Sequence, residues 1–222
     1  MEKKFELTDK FVFNTFGIKL FQIKCTKSFK YAKEGDLGGY VEKDENLDQE
    51  SDAWVSGNAR VYGDARVSGD AWVSGNAQVY GDARVSGNAR VYGNAQVYGN
   101  ARVYGDAWVY GDAWVSGDAW VSGNARVYGN AQVYGNARVY GDADIENDNN
   151  HCGFDCFGSC NRHTHAYLTK DNKVEITCGC FRGSIEEFEK KVEKTHSGTI
   201  YEKQYKAIIN VIKIKFGLTD LI

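Results

Sequence analysis

Five of the six cysteines, at positions 152, 156, 160, 178 and 180, lie within thirty residues of sequence together with His151, His163 and His165. Thiolates and imidazoles gathered at that density are the ligands of borderline metals such as zinc. Between the runs Arg162 to Leu168 and Lys173 to Cys180, the pair Asp171-Asn172 predicts a hairpin with a two-residue turn. In that register His163 faces Cys180 and His165 faces Cys178, so two imidazoles and two thiols share one side. The same side continues through Tyr167, Val174 and Ile176, which also makes it an apolar face for a helix, with cysteine serving as a small apolar residue. No Cys-x-x-Cys pair occurs, and the expectation is a packed core that holds no metal or other cofactor.

A helix to cover that face follows directly. Ser184-Ile-Glu-Glu187 has the form of a capping box and opens a helix to about His196, with Ile185, Phe188 and Val192 on one side. Gly198 ends it. A second helix from about Ile200 to Phe216 carries Tyr201, Tyr205, Ile208, Ile209 and Ile212 along its apolar stripe. Residues 149–222 therefore read as a small α+β domain.

The rest of the chain is dominated by a repeat. From Ala53 to Asp142 the sequence is fifteen unbroken copies of Ala-x-Val-[Ser/Tyr]-Gly-[Asn/Asp], with a decayed copy at 143–148. Alanine and valine two residues apart, around Trp, Arg or Gln, are the period of a strand with one buried face. Gly-Asn or Gly-Asp then turns the chain, because these residues tolerate positive φ. Short strands joined by identical corners close into a polygon, and stacked turns of the polygon pair their backbones: a β-solenoid over residues 37–148. Eighteen residues per coil is the register that interleaves Asn with Asp at the corners, leaving Asp64 and Asp82 as the single stacked acidic pair.

An exposed solenoid end needs a cap. Residues 1–36 supply one, with strands at Phe11 to Asn14 and Ile18 to Cys25 around a turn at Thr15-Phe-Gly17. Val41 and Leu47 keep the sixfold spacing, but the next buried position is Val55, so Glu50 to Asp52 reads as part of a two-residue insertion.

The repeat resembles that of left-handed parallel β-helix proteins, and left-handedness is implied by that resemblance alone. Gly35-Asp-Leu-Gly-Gly-Tyr-Val-Glu-Lys-Asp-Glu-Asn-Leu47 and Cys178-Gly-Cys-Phe-Arg-Gly-Ser-Ile-Glu-Glu-Phe188 are, further, similar to segments of hexapeptide-repeat proteins of tailed phages and prophages. The hexapeptide fold is common among acyltransferases, which use a histidine beside the coils as general base. Here none of the four histidines lies in a coil and no long loop interrupts the repeats, so catalysis is not expected.

The outward slots of the coils are the stronger candidates. All five tryptophans, Trp54, Trp72, Trp108, Trp114 and Trp120, precede a coil valine. In the 18-residue register the first three share a face with Tyr92, Tyr110 and Tyr128, while Trp108, Trp114 and Trp120 girdle one coil. Aromatic area of this kind either forms an interface or stabilises the ladder itself, with Arg90 and Arg126 stacked on Trp108. Arg66, Arg84 and Arg102 stack on another face, with Arg138 two rungs on. Their like charges are neutralised either by the corner residues Asp70 and Asp106 or by an anionic ligand or partner.

A formal charge of −3 and a pI near 5.8 give no general attraction to nucleic acid or anionic lipid. Apolar runs are too short to span a bilayer, and Met1-Glu-Lys-Lys-Phe lacks the core of a secretory signal. The expectation is a cytoplasmic chain with reduced cysteines. It is expected to be a homo-oligomeric, non-catalytic phage accessory protein that binds or sequesters a host protein or a small anionic ligand. The alternatives are a self-assembling scaffold and an acyltransferase.

Overall fold

The computed structural model describes residues 3–218. From Trp54 to Ile145 it is a succession of sixteen two-residue strands, each made of one outward residue and the valine or isoleucine after it. Trp54 pairs with Trp72, Trp72 with Arg90, Arg90 with Trp108, Trp108 with Arg126 and Arg126 with Asp144, all parallel. These steps of eighteen residues define one face of a three-sided parallel β-solenoid of about six turns. A second face runs Tyr40, Arg60, Gln78, Gln96, Trp114, Gln132. The third runs Arg66, Arg84, Arg102, Trp120, Arg138. They are called below the Trp72, Gln96 and Arg84 faces.

Inside, every repeat alanine and valine is buried, so between its two ends the core is a column of small aliphatic side chains. Burying each valine contributes on the order of 2 kcal/mol. Backbone bonds between rungs close the coils, as where Arg84 N–H donates to the Ala101 carbonyl at 2.9 Å. The corner glycines hold positive φ and approach the next rung closely. At Gly87, with φ +66°, a Cβ would stand 2.8 Å from the Gly105 nitrogen. Corner amides bind the rungs from outside: Asn58 donates to Asn76, Asn76 to Asn94 and Asn94 to Asp112, at 3.2, 3.1 and 2.9 Å. The stacked acidic pair is relieved by Lys43, whose Nζ lies 2.8 Å from Asp64 and holds its carboxyl below the usual range.

Strands Phe5–Phe13 and Lys19–Cys25 form an antiparallel hairpin, and the second of them pairs with Leu37–Val41. That third strand joins the solenoid in parallel, Val41 opposite Val61, while Leu47 bridges Val67. Both pairs are twenty residues apart rather than eighteen, which places the two-residue insertion between Leu47 and Val55. Lys4 closes this end by donating to the carbonyls of Asp48, Ser51 and Ala53 at 2.6, 2.5 and 2.8 Å.

The other end is covered by a four-stranded antiparallel sheet of His151–Phe157, Arg162–Leu168, Val174–Cys178 and Phe181–Ser184, in that order. The first and last of these strands have no counterpart in the periodicity, and the expected run Lys173 to Cys180 is shorter. Helices α1 (Ile185–His196) and α2 (Ile200–Lys215) pack on one side, around Ile176, Phe188, Tyr205 and Ile209. Ser184 and Glu187 form the expected capping box. The other side faces the last coil. Thr177 Oγ1 donates to the Arg138 carbonyl at 2.9 Å, and Tyr167 is fully buried in the solenoid core. Among the described residues, no helix is long and apolar enough to cross a membrane.

Candidate functional site

On the Arg84 face, Arg66, Arg84 and Arg102 stand in direct register and are exposed. Rungs about 4.8 Å apart force their charges together. Among the described residues none of the three has a carboxylate within 4.0 Å or donates a side-chain hydrogen bond. The expected intramolecular partners are committed elsewhere. Asp70 pairs with Lys30 at 2.8 Å, and Asp106 accepts from the Asn88 amide at 2.8 Å. Two clefts open along this face. One of about 670 Å³ lies between Arg66 and Arg84 and the loop bearing Asp44, Asp48 and Glu50. Another of about 550 Å³ runs past Arg84, Arg102 and Arg138, with Asp82 and Asp118 on its rim. Arg138 differs from the other three: its guanidinium donates to the Asp118 carbonyl at 2.7 Å and covers Trp120.

The Trp72 face is internally satisfied. Arg90 sits between Trp72 and Trp108, 5.7 and 5.5 Å from their ring centroids, and Arg126 lies 5.3 Å from Trp108. Tyr92, Tyr110 and Tyr128 stack at 4.9 Å along the same face. Trp54, expected to face solvent, is instead 3% exposed, because Phe29 packs edge-on against it; Tyr31 stacks on Trp72. The segment between the Lys19–Cys25 and Leu37–Val41 strands thus covers the start of this face. Beneath this segment Trp54 is buried and Trp72 half-buried.

On the Gln96 face the stack Tyr62, Tyr80, Tyr98 has the same 4.9 Å spacing, with the Tyr62 and Tyr80 hydroxyls donating to Gln78 and Gln96 at 3.3 Å. Burial pushes the Tyr80 phenol up to about 12. Toward the far end this order lapses: Trp114 is 41% exposed, and Tyr134, two residues past Gln132 on the next rung, is 66% exposed.

The hairpin register separates the expected zinc set. His165 pairs with Thr177, and Cys178 with Thr164. Thr169 N–H donates to the Lys173 carbonyl at 2.9 Å, so the loop is the three residues Lys170-Asp171-Asn172, with Asn172 at φ 55°. One residue more than a two-residue turn moves the thiols to the opposite side. Cys178 accordingly lies in the helix-side core beside Ile176, Cys180 is exposed, and all six cysteines are free. Val174 and Ile176 likewise leave the histidine side. His163, His165 and Tyr167 remain together, and His151 joins them from the neighbouring strand. His151 Nδ1 is 3.0 Å from His165 Nε2, and His163 Nδ1 is 2.7 Å from Asp155 Oδ1. Burial keeps both His151 and His165 below the ordinary imidazole range. A spacing pattern of His163-x-His165 on one strand was visible in the sequence; the contribution of His151 required the Gly153 to His165 pairing.

Residues 59–75, 77–93, 83–97, 95–111, 121–133 and 131–143 match the family model described as the YdcK Beta solenoid repeat. The chain is a repeat β-solenoid protein. The matched segments fall within the three-faced coils and include Arg66, Arg84, Arg102 and Trp108. No curated protein matches it.

Proposed function

We propose that the β-solenoid is a non-catalytic binding protein whose Arg84 face receives an anionic ligand or an acidic protein surface. The observation that carries this reading is the stack of Arg66, Arg84 and Arg102, in register and with no ion-pair partner among the described residues. Stacked guanidinium groups repel one another, and carboxylate or phosphate oxygens placed between them convert that repulsion into paired hydrogen bonds. The face is also a poor place for acyl transfer. Its side chains are Arg, Ser, Tyr and Trp, with Asn and Asp at the corners, and the histidine cluster lies at the capped end of the solenoid.

The similarity of residues 35–47 and 178–188 to phage and prophage hexapeptide-repeat proteins supports a setting in the host cytoplasm, where the bound component belongs to the host. Self-association is the second reading, favoured by the exposure of both Trp114 and Tyr134. Affinity purification from infected cells separates the two, with mass spectrometry of proteins and small molecules held by the wild type and by Arg84→Gln/Arg102→Gln. A component retained by the wild type and lost from the variant supports the proposal. Retention of the same components by both, or recovery of the chain with itself alone, rejects it.

A further inference from the structure

At the junction of the last coil and the C-terminal sheet, three imidazoles surround a cleft of about 310 Å³. His163 and His151 each have side chains only 9% exposed, and the Nε2 atom of His163 is buried without a hydrogen-bond partner. Leaving a buried lone pair unmatched is unfavourable, so it marks a place for a missing partner.

Each ring has an oxygen behind its outer nitrogen. His163 donates Nδ1–H to Asp155 at 2.7 Å, which leaves Nε2 bare. His165 directs Nδ1 at the Arg138 carbonyl, 3.5 Å away, and His151 directs Nε2 at Asp148, also 3.5 Å away. Each ring therefore has a carboxylate or carbonyl on its outer side, while the inner atoms of His151 and His165 share one proton that a bound metal ion would displace to solvent. That is how metal-binding imidazoles are held from behind. The inner atoms His151 Nδ1 and His165 Nε2 already stand 3.0 Å apart. Ring centroids are 5.2 Å apart for His151 and His165 and 5.6 Å for His163 and His165. Three imidazoles bound to one tetrahedral ion at zinc–nitrogen lengths would have centroids roughly 5 Å apart.

Gly153 supplies the room. It pairs with His165 on the same side of the sheet, and a Cβ there would meet His163 Cε1 at 2.6 Å and Nε2 at 2.9 Å. Among the described residues no three ligating groups already close on one point, so His163 must turn its ring toward the other two over this glycine.

We propose that His151, His163 and His165 form a three-imidazole site for a divalent transition metal of the zinc class, pinning the C-terminal sheet to the end of the solenoid. Neutral nitrogen ligands suit zinc, cobalt or nickel, whereas calcium and magnesium demand oxygen. The cleft leaves a further coordination position for water.

The test uses the full chain, stripped with a chelator and dialysed. Titration with Zn²⁺ alone, followed by calorimetry, is expected to show one equivalent bound. His163→Ala is expected to bind at least about tenfold more weakly, and Asp155→Ala about 10–100-fold more weakly, while Cys178→Ser and Cys180→Ser are unchanged. Far-UV circular dichroism checks that each variant is folded. Co²⁺ provides a readout without substitution: visible d–d bands with no thiolate charge-transfer band in the near ultraviolet support the site. Absence of saturable Zn²⁺ binding, a thiolate band, or undiminished binding by folded His163→Ala overturns it.

Discussion

The guanidinium of Arg138 lies 4.3 Å from the ring centroid of Trp120, and Arg102, on the opposite side of that tryptophan, lies 5.0 Å from the same ring. A cation on each side of an indole is an attractive stack, so this part of the Arg84 face stabilises itself. Trp120→Ala brings Arg102 and Arg138 into an unshielded relation and removes both contacts. The expected loss is on the order of 1–3 kcal/mol, read as a lower urea midpoint at unchanged slope. An unchanged midpoint would show that the ring contributes nothing.

The arginines on the two faces should behave in opposite ways. Arg90 fills the space between Trp72 and Trp108, whereas Arg84 lies between Arg66 and Arg102 without a carboxylate. Arg90→Gln is expected to lower the melting temperature, and Arg84→Gln to leave it unchanged or raise it, because repulsion is removed. A clear loss of stability in Arg84→Gln would mean that the ladder is structural, and the binding proposal would lose its basis.

Val97 is fully buried in the middle of the column, between Val79 and Val115. Val97→Asp puts a carboxylate where no donor can reach it, a penalty of several kcal/mol. Loss of the cooperative thermal transition is the expected outcome, followed by far-UV circular dichroism. A native spectrum and melting point would contradict the assignment of the inward face.

Lys4 gives the account a pH signature. Burial lowers its ammonium to about 8 from the ordinary 10.5, although its three carbonyl acceptors hold it in place. The unfolded chain therefore binds more protons than the folded one between these two values, and the Lys4 contribution to stability rises with pH across that window. Above pH 10 the tyrosines buried in the ladders act in the opposite sense, since Tyr80 is raised to about 12. Urea midpoints measured from pH 7.5 to 9.5 are expected to climb in the wild type and to climb less in Lys4→Met. Equal slopes would remove Lys4 from this role.

The coils were legible because a strict repeat leaves one degree of freedom, the number of residues per turn, and the corner Asn and Asp residues select it. The pairing of Trp72 with Arg90 and Arg90 with Trp108 follows from that number alone. Burial of Trp54 was not legible, since Phe29 and Tyr31 lie in an aperiodic segment that returns across the face only in three dimensions. The histidine side was missed for a smaller reason. Asn172 adopts positive φ and admits Lys170 to the loop, and a strand hairpin turns one extra loop residue into an exchange of faces. Two thiols thereby left the cluster, and His151 entered from a strand that has no alternating pattern of its own.

The proposal that the Arg84 face is an anion-binding surface is tested most directly by titrating the chain with inorganic tripolyphosphate, as a probe of that chemistry, at low and raised salt. The wild type is expected to bind with an affinity that falls as salt is raised, and Arg84→Gln/Arg102→Gln to bind at least about tenfold more weakly while remaining folded. Equal affinity in the two proteins, or no binding by the wild type at low salt, would contradict the account.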